Sequence, residues 1–344
     1  MTTGVSIVIC CYNSSQRLPK TLEHLAAQKL TSDLPWEVIV VDNASTDNTA
    51  EIAKTSWSST AVPLRVVHEH QQGLIYARHR ALIEAKYDII GFVDDDNWVC
   101  PEWVQTVAEI MTQHPNVGAC GGCSSVVSDV PIPSWFERYQ GDYAVGSQAP
   151  KAGEITEQGR DFLWGAGLSV RKQAWQQILD KGFEPLLVGR KGTALSASED
   201  FEFCLALRAA GWQLWYDPRL QLQHCLPASR LQWSYLRRLK RGIGASSVGL
   251  DHYSFLESEN GWSLKAKLKQ NWYWRVAFSL LKLMRYPHKL LLFSHNQWEG
   301  DESILHLEIL IGRLNELIKT RKVYATQTRN IREAPWRNSV NNLT

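Results

Sequence analysis

Asp88-Ile-Ile-Gly-Phe-Val-Asp-Asp-Asp96 decides how the chain is read. Ile89, Ile90, Phe92 and Val93 leave no polar face, which predicts a strand buried on both sides, as in sheets covered by helices above and below. Asp94, Asp95 and Asp96 then stand at its carboxyl edge, where open α/β sheets bind ligands. Three carboxylates so close repel one another, and a hard cation lets them stay ionised together. Mg²⁺ or Mn²⁺ held by one or two carboxylates completes its shell with substrate phosphates. A solvated acidic turn is the competing account of the same residues.

Outward from this stretch, buried-strand patterns over 5–10, 36–41 and 64–67 alternate with helical patterns over 18–28, from Ser45 or Thr46 as cap through 54, and over 75–85. That alternation predicts right-handed βαβ units and a mostly parallel central sheet flanked by helices, a Rossmann-like α/β fold. No Gly-x-Gly-x-x-Gly follows the first strand, which sets aside a dinucleotide dehydrogenase. The expected organisation is a catalytic domain over 1–230, with a nucleotide-binding half over 1–115 and an acceptor-binding half over 116–230, then a helical region over 231–344. Residues 128–160 lack periodicity and read as a covering segment. Its Trp135, Phe136, Tyr139 and Tyr143 suit either sugar faces or a core. Gly189-Arg-Lys-Gly-Thr193 reads as a basic turn before Glu199-Asp200, a pair that also suits the amino end of a helix.

At 344 residues with net charge +2, the chain holds a full α/β core and gives no general case for nucleic acid as a partner. Its seven cysteines fall mostly in apolar stretches, and Cys120 and Cys123 have no second pair to make a zinc site, so reduced thiols in the cytoplasm are expected. Neither a signal-peptide pattern nor an apolar run of about 18 to 20 residues is seen, which again favours the cytoplasm. Between Lys265 and Lys289 there are seven Lys or Arg and no acid, interleaved with Trp272, Tyr273, Trp274 and Phe278. Residues 262–293 are therefore read as a helix lying on the cytoplasmic face of a membrane, with packing on its own domain or pairing between subunits as the alternatives.

Six segments in order, Val5-Ser-Ile-Val-Ile-Cys-Cys-Tyr-Asn13, Val40-Val-Asp-Asn-Ala-Ser-Thr-Asp-Asn-Thr49, Gly73-Leu-Ile-Tyr-Ala-Arg78, Asp94 to Asp96, Gly165-Ala-Gly167 and Glu199-Asp200, resemble glycosyltransferase family 2, whose fold is GT-A. The resemblance covers about residues 4 to 225. It implies an inverting, metal-assisted transfer from a nucleotide sugar, a uridine diphosphate sugar by preference, to a hydroxyl of a glycan or lipid-linked glycan. Asp42 is then the acceptor for the base, with Cys11, Tyr12 and Asn13 at the same end of the sheet. Arg78 lies near the diphosphate, and Gly165 near the nucleotide sugar. Asp96 binds Mn²⁺ or Mg²⁺, Asp94 contacts ribose or metal-bound water, Asp95 lies between them, and His224 is a further candidate ligand. Asp200 is the general base and Glu199 orients the acceptor. Arg238, with Arg237, Lys240 and Arg241, is a candidate for the diphosphate or an anionic acceptor, against a solvated basic helix face. Cys10-Cys11, His79 and Ser198 depart from the family's usual Pro-Thr, Asn and Gly. The Gln-x-x-Arg-Trp signature of the processive synthases is missing around Gln232, which favours single additions. A sugar-phosphate nucleotidyltransferase is the rival enzyme, although Ile9 to Ser15 is not its Gly-rich phosphate loop. A nucleotide-sugar-binding scaffold without turnover is the non-catalytic rival.

Overall fold

Alternation along the first strand builds both layers of the core. In β1 (Val5–Cys11), Ile7 and Ile9 pack with Leu22, Val104 and Ile110, whereas Val8 packs on the opposite face with Ala81, Trp175 and Leu207. Each fully buried aliphatic side chain contributes about 1.5–3 kcal/mol, so a one-residue slip of this strand is strongly disfavoured. The computed structural model describes residues 4–31, 33–187, 198–257, 268, 270–285 and 299–337. The basic turn at 189–193 lies outside the described residues, as does part of 262–293.

Among the described residues, nine strands form one sheet. Strand β2 (Trp36–Asn43) follows α1 (Leu18–Ala26), and β3 (Leu64–Glu69) follows α2 (Thr49–Ser56). Helix α3 (Leu74–Glu84) leads into β4 (Ile89–Phe92). These strands lie in the order β3-β2-β1-β4, all parallel. The chain winds outward from β1 in one direction and then returns to place β4 on its other side, so a topological switch point falls between β1 and β4. Parallel pairing sets Cys11 opposite Asp42, and the Val93 amide donates to the Val8 carbonyl at 3.0 Å. One sheet edge therefore presents residues 11–13, Asp42 and the triple aspartate.

The second half of the sheet is mixed. Strand β5 (Asn97–Val99), α4 (Trp103–Gln113), β6 (Val117–Val127), the single-turn α5 (Phe136–Tyr139) and β7 (Gly153–Glu154) precede β8 (Ser169–Arg171). After α6 (Lys172–Asp180) and α7 (Glu199–Ala209), β9 (Gln213–Cys225) completes the sheet. Strand β8 runs antiparallel to both β4 and β6, β9 runs parallel to β6, and β5 pairs antiparallel with β9. The division expected near residue 115 thus falls inside a continuous sheet. Pairing of β5 with β9 sets Asn97 opposite His224, which carries the histidine to the aspartate turn.

Beyond β9 lie α8 (Trp233–Leu250), α9 (Trp272–Leu283), α10 (Glu302–Thr320) and α11 (Tyr324–Arg332). Helices α8 and α10 cross closely because each offers a glycine: a Cβ on Gly244 would fall 2.1 Å from the Ile309 carbonyl oxygen, and one on Gly312 would fall 2.0 Å from that of Arg241. Glu308 is buried at this crossing, where Arg237 Nε reaches it at 2.8 Å and Arg241 Nη2 at 2.6 Å. Arg237 and Arg241, read from sequence as candidates for the diphosphate, grip a helix instead.

Trp135, Phe136, Tyr139 and Tyr143 are buried against Trp233, Tyr235 and Leu236 of α8. They attach the covering segment to the carboxyl-terminal region, and Tyr143 also lines the cleft described below. The predicted cap of α2 also shifts, to Asn48. Ser45 and Thr46 are engaged earlier: Ser45 Oγ accepts from the Asn13 amide and the Thr46 amide donates to Asn13 Oδ1, tying the two nucleotide-edge loops together.

Candidate active site

A cleft of about 700 Å³ opens over the switch point, lined on one side by Cys10, Cys11, Tyr12, Arg17 and Asp94 to Asp96, and on the other by Trp164, Gly165, Glu199 and Asp200, with Arg78, His224 and Arg230 also in its wall. The acidic turn and the acidic pair at the start of α7, 104 positions apart in the sequence from Asp96 to Asp200, share this one cavity.

The three aspartates point to different partners. Asp95 accepts from Arg17 Nη2 at 2.7 Å and from the Ser14 hydroxyl, so it serves the start of α1. Asp94 accepts from Asn97 Nδ2 at 3.2 Å. Asp96 is buried and faces His224, with Oδ1 3.7 Å from Nε2, while Arg230 Nη1 lies 3.0 Å from Oδ2. His224 Nδ1 is 2.9 Å from the Tyr143 carbonyl oxygen. A carbonyl only accepts, so Nδ1 carries a proton, while Nε2 stands on the side of Asp96 and can accept from Arg230 Nη1 at 3.4 Å, the orientation in which a carbonyl behind the ring fixes a ligating imidazole.

Among the described residues, no group of three His, Cys, Asp or Glu side chains is placed to hold an ion. Asp96 and His224 could supply two ligands, a set that would fit Mg²⁺ or Mn²⁺ only with diphosphate oxygens completing the shell. Burial pushes the Cys10 thiol up to about 12 and raises that of Cys11, so both stay protonated near neutrality.

Across the cleft, Asp200 Oδ2 accepts the Gly165 amide at 2.5 Å, and Oδ1 accepts the Phe201 amide at 3.0 Å. Gly165 permits this approach, since a Cβ there would meet Asp200 Oδ2 at 3.0 Å and Arg78 Nη2 at 3.1 Å. Arg78 lies over the Phe92 ring at 5.4 Å, with Nη1 3.9 Å from Glu199 Oε1. Enclosure by protein and then the like charge of Glu199 push the Asp200 carboxyl up to about 7, against the pull of Arg78 and the two amides. A carboxylate of that strength is matched to proton transfer at neutral pH.

Two features hold α7 at this angle. Ser198 enters the helix at φ 78°, in the left-handed region, which accounts for the family's usual glycine at this position. One turn inside, buried Glu202 accepts the Leu186 and Leu187 amides at 3.0 and 2.7 Å and the Tyr253 hydroxyl at 3.1 Å, joining α7 to the carboxyl-terminal region.

Asp42 and Asn13 are not among the residues that line the cavity, although their neighbours Asn43 and Tyr12 are; Asp42 Oδ2 lies 3.2 Å from His68 Nδ1, and its Oδ1 accepts the Ser45 amide. Arg238 is exposed, its guanidinium 6.0 Å from the Tyr235 ring centroid and outside the cleft, so the solvated-face reading holds for it. Lys240 pairs with Asp142 at 2.5 Å. Arg17, Arg160 and Arg230 do line the cleft and escaped sequence reading. For Arg230 the available signal was a basic residue six positions beyond the candidate ligand His224.

A helix-covered sheet with an acidic turn at its switch point and a second acidic pair across one cleft defines a glycosyltransferase of the GT-A class. The sequence matches the family described as Glycosyl transferase family 2 over residues 6–167, and Glycosyl transferase family group 2 over residues 89–298, more than half of its length. The chain therefore belongs to glycosyltransferase family 2. Among its relatives, the glucosyl-dolichyl phosphate glucuronosyltransferase of Haloferax volcanii is 22% identical over 241 residues, 67% of this chain and 72% of that protein. The succinoglycan biosynthesis protein ExoM of Rhizobium meliloti is 23% identical over 243 residues, 70% and 74% of the two chains. The match to the putative glycosyltransferase EpsH of Bacillus subtilis, 25% identical, spans only 33% of that protein. In fold, the chain is similar to a mannosyltransferase from Pyrobaculum calidifontis solved with GDP-Man and Mn²⁺, with a TM-score of 0.55, 16% identity and coverage of 92% and 87%.

Proposed function

We propose that this glycosyltransferase moves one sugar per encounter, with inversion, from a uridine diphosphate sugar to a hydroxyl of a glycan or lipid-linked glycan. The observation that carries the reading is that Asp200, held by the Gly165 and Phe201 amides, shares one cleft with Asp96 and His224. In the transfer, the acceptor oxygen attacks the anomeric carbon as its proton passes to Asp200. The bond from that carbon to the diphosphate oxygen breaks, and its electron pair leaves with the nucleoside diphosphate. Proximity in the shared cleft supplies much of the acceleration, because the reactants are oriented before they meet.

Arg78 and Arg230 offer planar, multi-donor forks suited to the diphosphate, and Tyr12, 45% exposed in the cleft wall, offers a face to the base. Asp42 holds the loop beside it. Asp96 and His224 would hold Mg²⁺ or Mn²⁺, which when bound neutralises charge on the leaving diphosphate. Glu199 tunes Asp200 and orients the incoming hydroxyl. Gln232 and Trp233 support single addition: Trp233 is buried in the aromatic cluster on α8, and no Gln-x-x-Arg-Trp platform is formed.

A surface on α9 supports work at the cytoplasmic face of a membrane. No helix among the described residues is long and apolar enough to cross one. Yet Tyr273, Leu281 and Met284 are 69%, 63% and 72% exposed, beside exposed Trp274, Phe278, Lys282 and Arg285. An apolar face with a cationic border and no acid fits anionic lipid. Trp272 and Arg275 play a different part: Trp272 Nε1 donates to the Leu317 carbonyl at 2.7 Å and Arg275 pairs with Asp251 at 2.8 Å, so they hold the helix against the body.

Calorimetry with UDP and GDP, each with and without Mn²⁺, tests the donor and the metal together. Wild type is expected to prefer UDP and to bind it more tightly with Mn²⁺, and Asp96→Ala is expected to lose the Mn²⁺ effect. Equal UDP affinity with and without metal in the wild type refutes the metal assignment.

A further inference from the structure

We propose that the acceptor carries an anionic group, a phosphate or a carboxylate, and that Arg160 receives it at the Asp200 end of the cleft. This rests on the transferase reading above and narrows its acceptor. Four arginines line the cavity: Arg17, Arg78, Arg160 and Arg230. Three face carboxylates, Arg17 with Asp95 at 2.7 Å, Arg230 with Asp96 at 3.0 Å and Arg78 with Glu199 at 3.9 Å. Arg160 faces carbonyls instead. Its Nε donates to the Phe162 carbonyl at 2.9 Å and its Nη1 to that of Gln148 at 3.4 Å, and among the described residues no carboxylate pairs with it.

Those contacts use two of the five guanidinium N–H groups and leave three for a ligand. The group is also held still. It stacks over Trp164 at 4.7 Å and over Phe162 at 5.3 Å, and Phe162 in turn stacks on Phe201, the residue after Asp200, with centroids 3.7 Å apart. Surrounding protein weighs against its charge, yet a guanidinium does not give up its proton near neutrality. A partly buried, immobilised cation with no carboxylate in contact has lost hydration that two carbonyls, two ring faces and the more distant charge of Asp200 return only in part. An incoming phosphate or carboxylate would return it, and a planar fork matches either one bidentately.

Position decides which substrate brings the anion. Arg160 is stacked on Trp164, the neighbour of Gly165, whose amide holds the general base. In the reading above the diphosphate lies between Arg230, on the side of Asp96 and His224, and Arg78, which faces Glu199, whereas the contacts of Arg160 run to Trp164 and, through Phe162, to Phe201. The anion at Arg160 therefore arrives with the nucleophile. Both a lipid-linked sugar phosphate and a glycan ending in a uronic acid present this chemistry.

The test is calorimetry on the full chain with UDP and Mn²⁺, titrating octyl glucosyl phosphate, octyl glucuronide and octyl glucoside. At least one charged probe is expected to bind at least about tenfold more tightly than the uncharged one. Which charged probe wins separates the phosphate source from the carboxylate source. Arg160→Gln is expected to erase the preference while leaving UDP affinity within about twofold, and Arg160→Lys to keep part of it. Equal binding of all three probes by the wild type overturns the proposal. So does an Arg160→Gln variant that loses affinity for UDP-glucuronate but not for the charged probes, since the anion would then belong to the donor. Failure of UDP to bind the wild type would defeat the uridine diphosphate donor alone, because the three probes can still be compared without nucleotide.

Discussion

Replacing Glu199 by Gln should move the pH dependence of transfer toward acid, and this follows from the order of forces on Asp200. Its carboxyl stands at about 7 because enclosure and the Glu199 charge raise it while Arg78 lowers it. The ionised form is the competent base, so the rate at saturating donor should rise as pH increases through about 7. With one controlling group of that strength, about a tenth is ionised at pH 6 and about nine-tenths at pH 8, a nearly tenfold span in rate. Glu199→Gln removes the like charge and stabilises the ionised base, so the midpoint falls. Arg78→Gln removes the opposite charge, so the midpoint climbs. Asp200→Asn should retain UDP affinity, lose transfer by at least about 10²-fold and lose the pH step altogether. Initial rates of sugar transfer between pH 5.5 and 9, with a radiolabelled donor held saturating, give all four profiles. An alkaline shift in Glu199→Gln, or a wild-type pH step surviving in Asp200→Asn, would refute the assignment of Asp200 as base.

Other expectations concern the frame around the site. Ser198→Gly relieves a left-handed residue that costs about 1–2 kcal/mol, against about 0.4–1 kcal/mol of added chain entropy when unfolded, so urea denaturation should show a small gain in stability. Glu308→Ala leaves the mostly buried Arg237 and the exposed Arg241 without their shared carboxylate and should cost about 3 kcal/mol in the same assay; a loss under about 1 kcal/mol would mean the α8–α10 crossing does not depend on it. Replacing Tyr273, Leu281 and Met284 together by Ser should weaken sedimentation with anionic vesicles at least about tenfold while leaving transfer to a water-soluble acceptor unchanged. Equal sedimentation with anionic and neutral vesicles would exclude the lipid-facing role of α9.

The parallel half of the fold was legible because its strands are buried on both faces. Runs such as Val5 to Cys10 and Trp36 to Val41 contain nearly all the information needed to choose strand over loop, and the turns after them display Asn13, Asp42 and Asp94 to Asp96 on one edge by geometry alone. The basic helix face was ambiguous for an equally physical reason. Arg237, Arg238 and Arg241 are alike in sequence, and only the approach of α10 through Gly244 and Gly312 shows that two of them bind a buried Glu308 while the third meets solvent. The aromatics at 135–143 were ambiguous in the same way until α8 covered them.

Local pattern thus determined which residues form strands, where the acidic turn stands and that Glu199-Asp200 opens a helix, because backbone periodicity and turn chemistry act over a few residues. Tertiary structure alone decided that Asp96 faces His224 and Arg230, that Asp95 turns away to Arg17, and that Arg160 is left with carbonyls where its neighbours have carboxylates. Charge pairing depends on distances of 3–4 Å between segments far apart in the chain, and no spacing along a sequence encodes those distances.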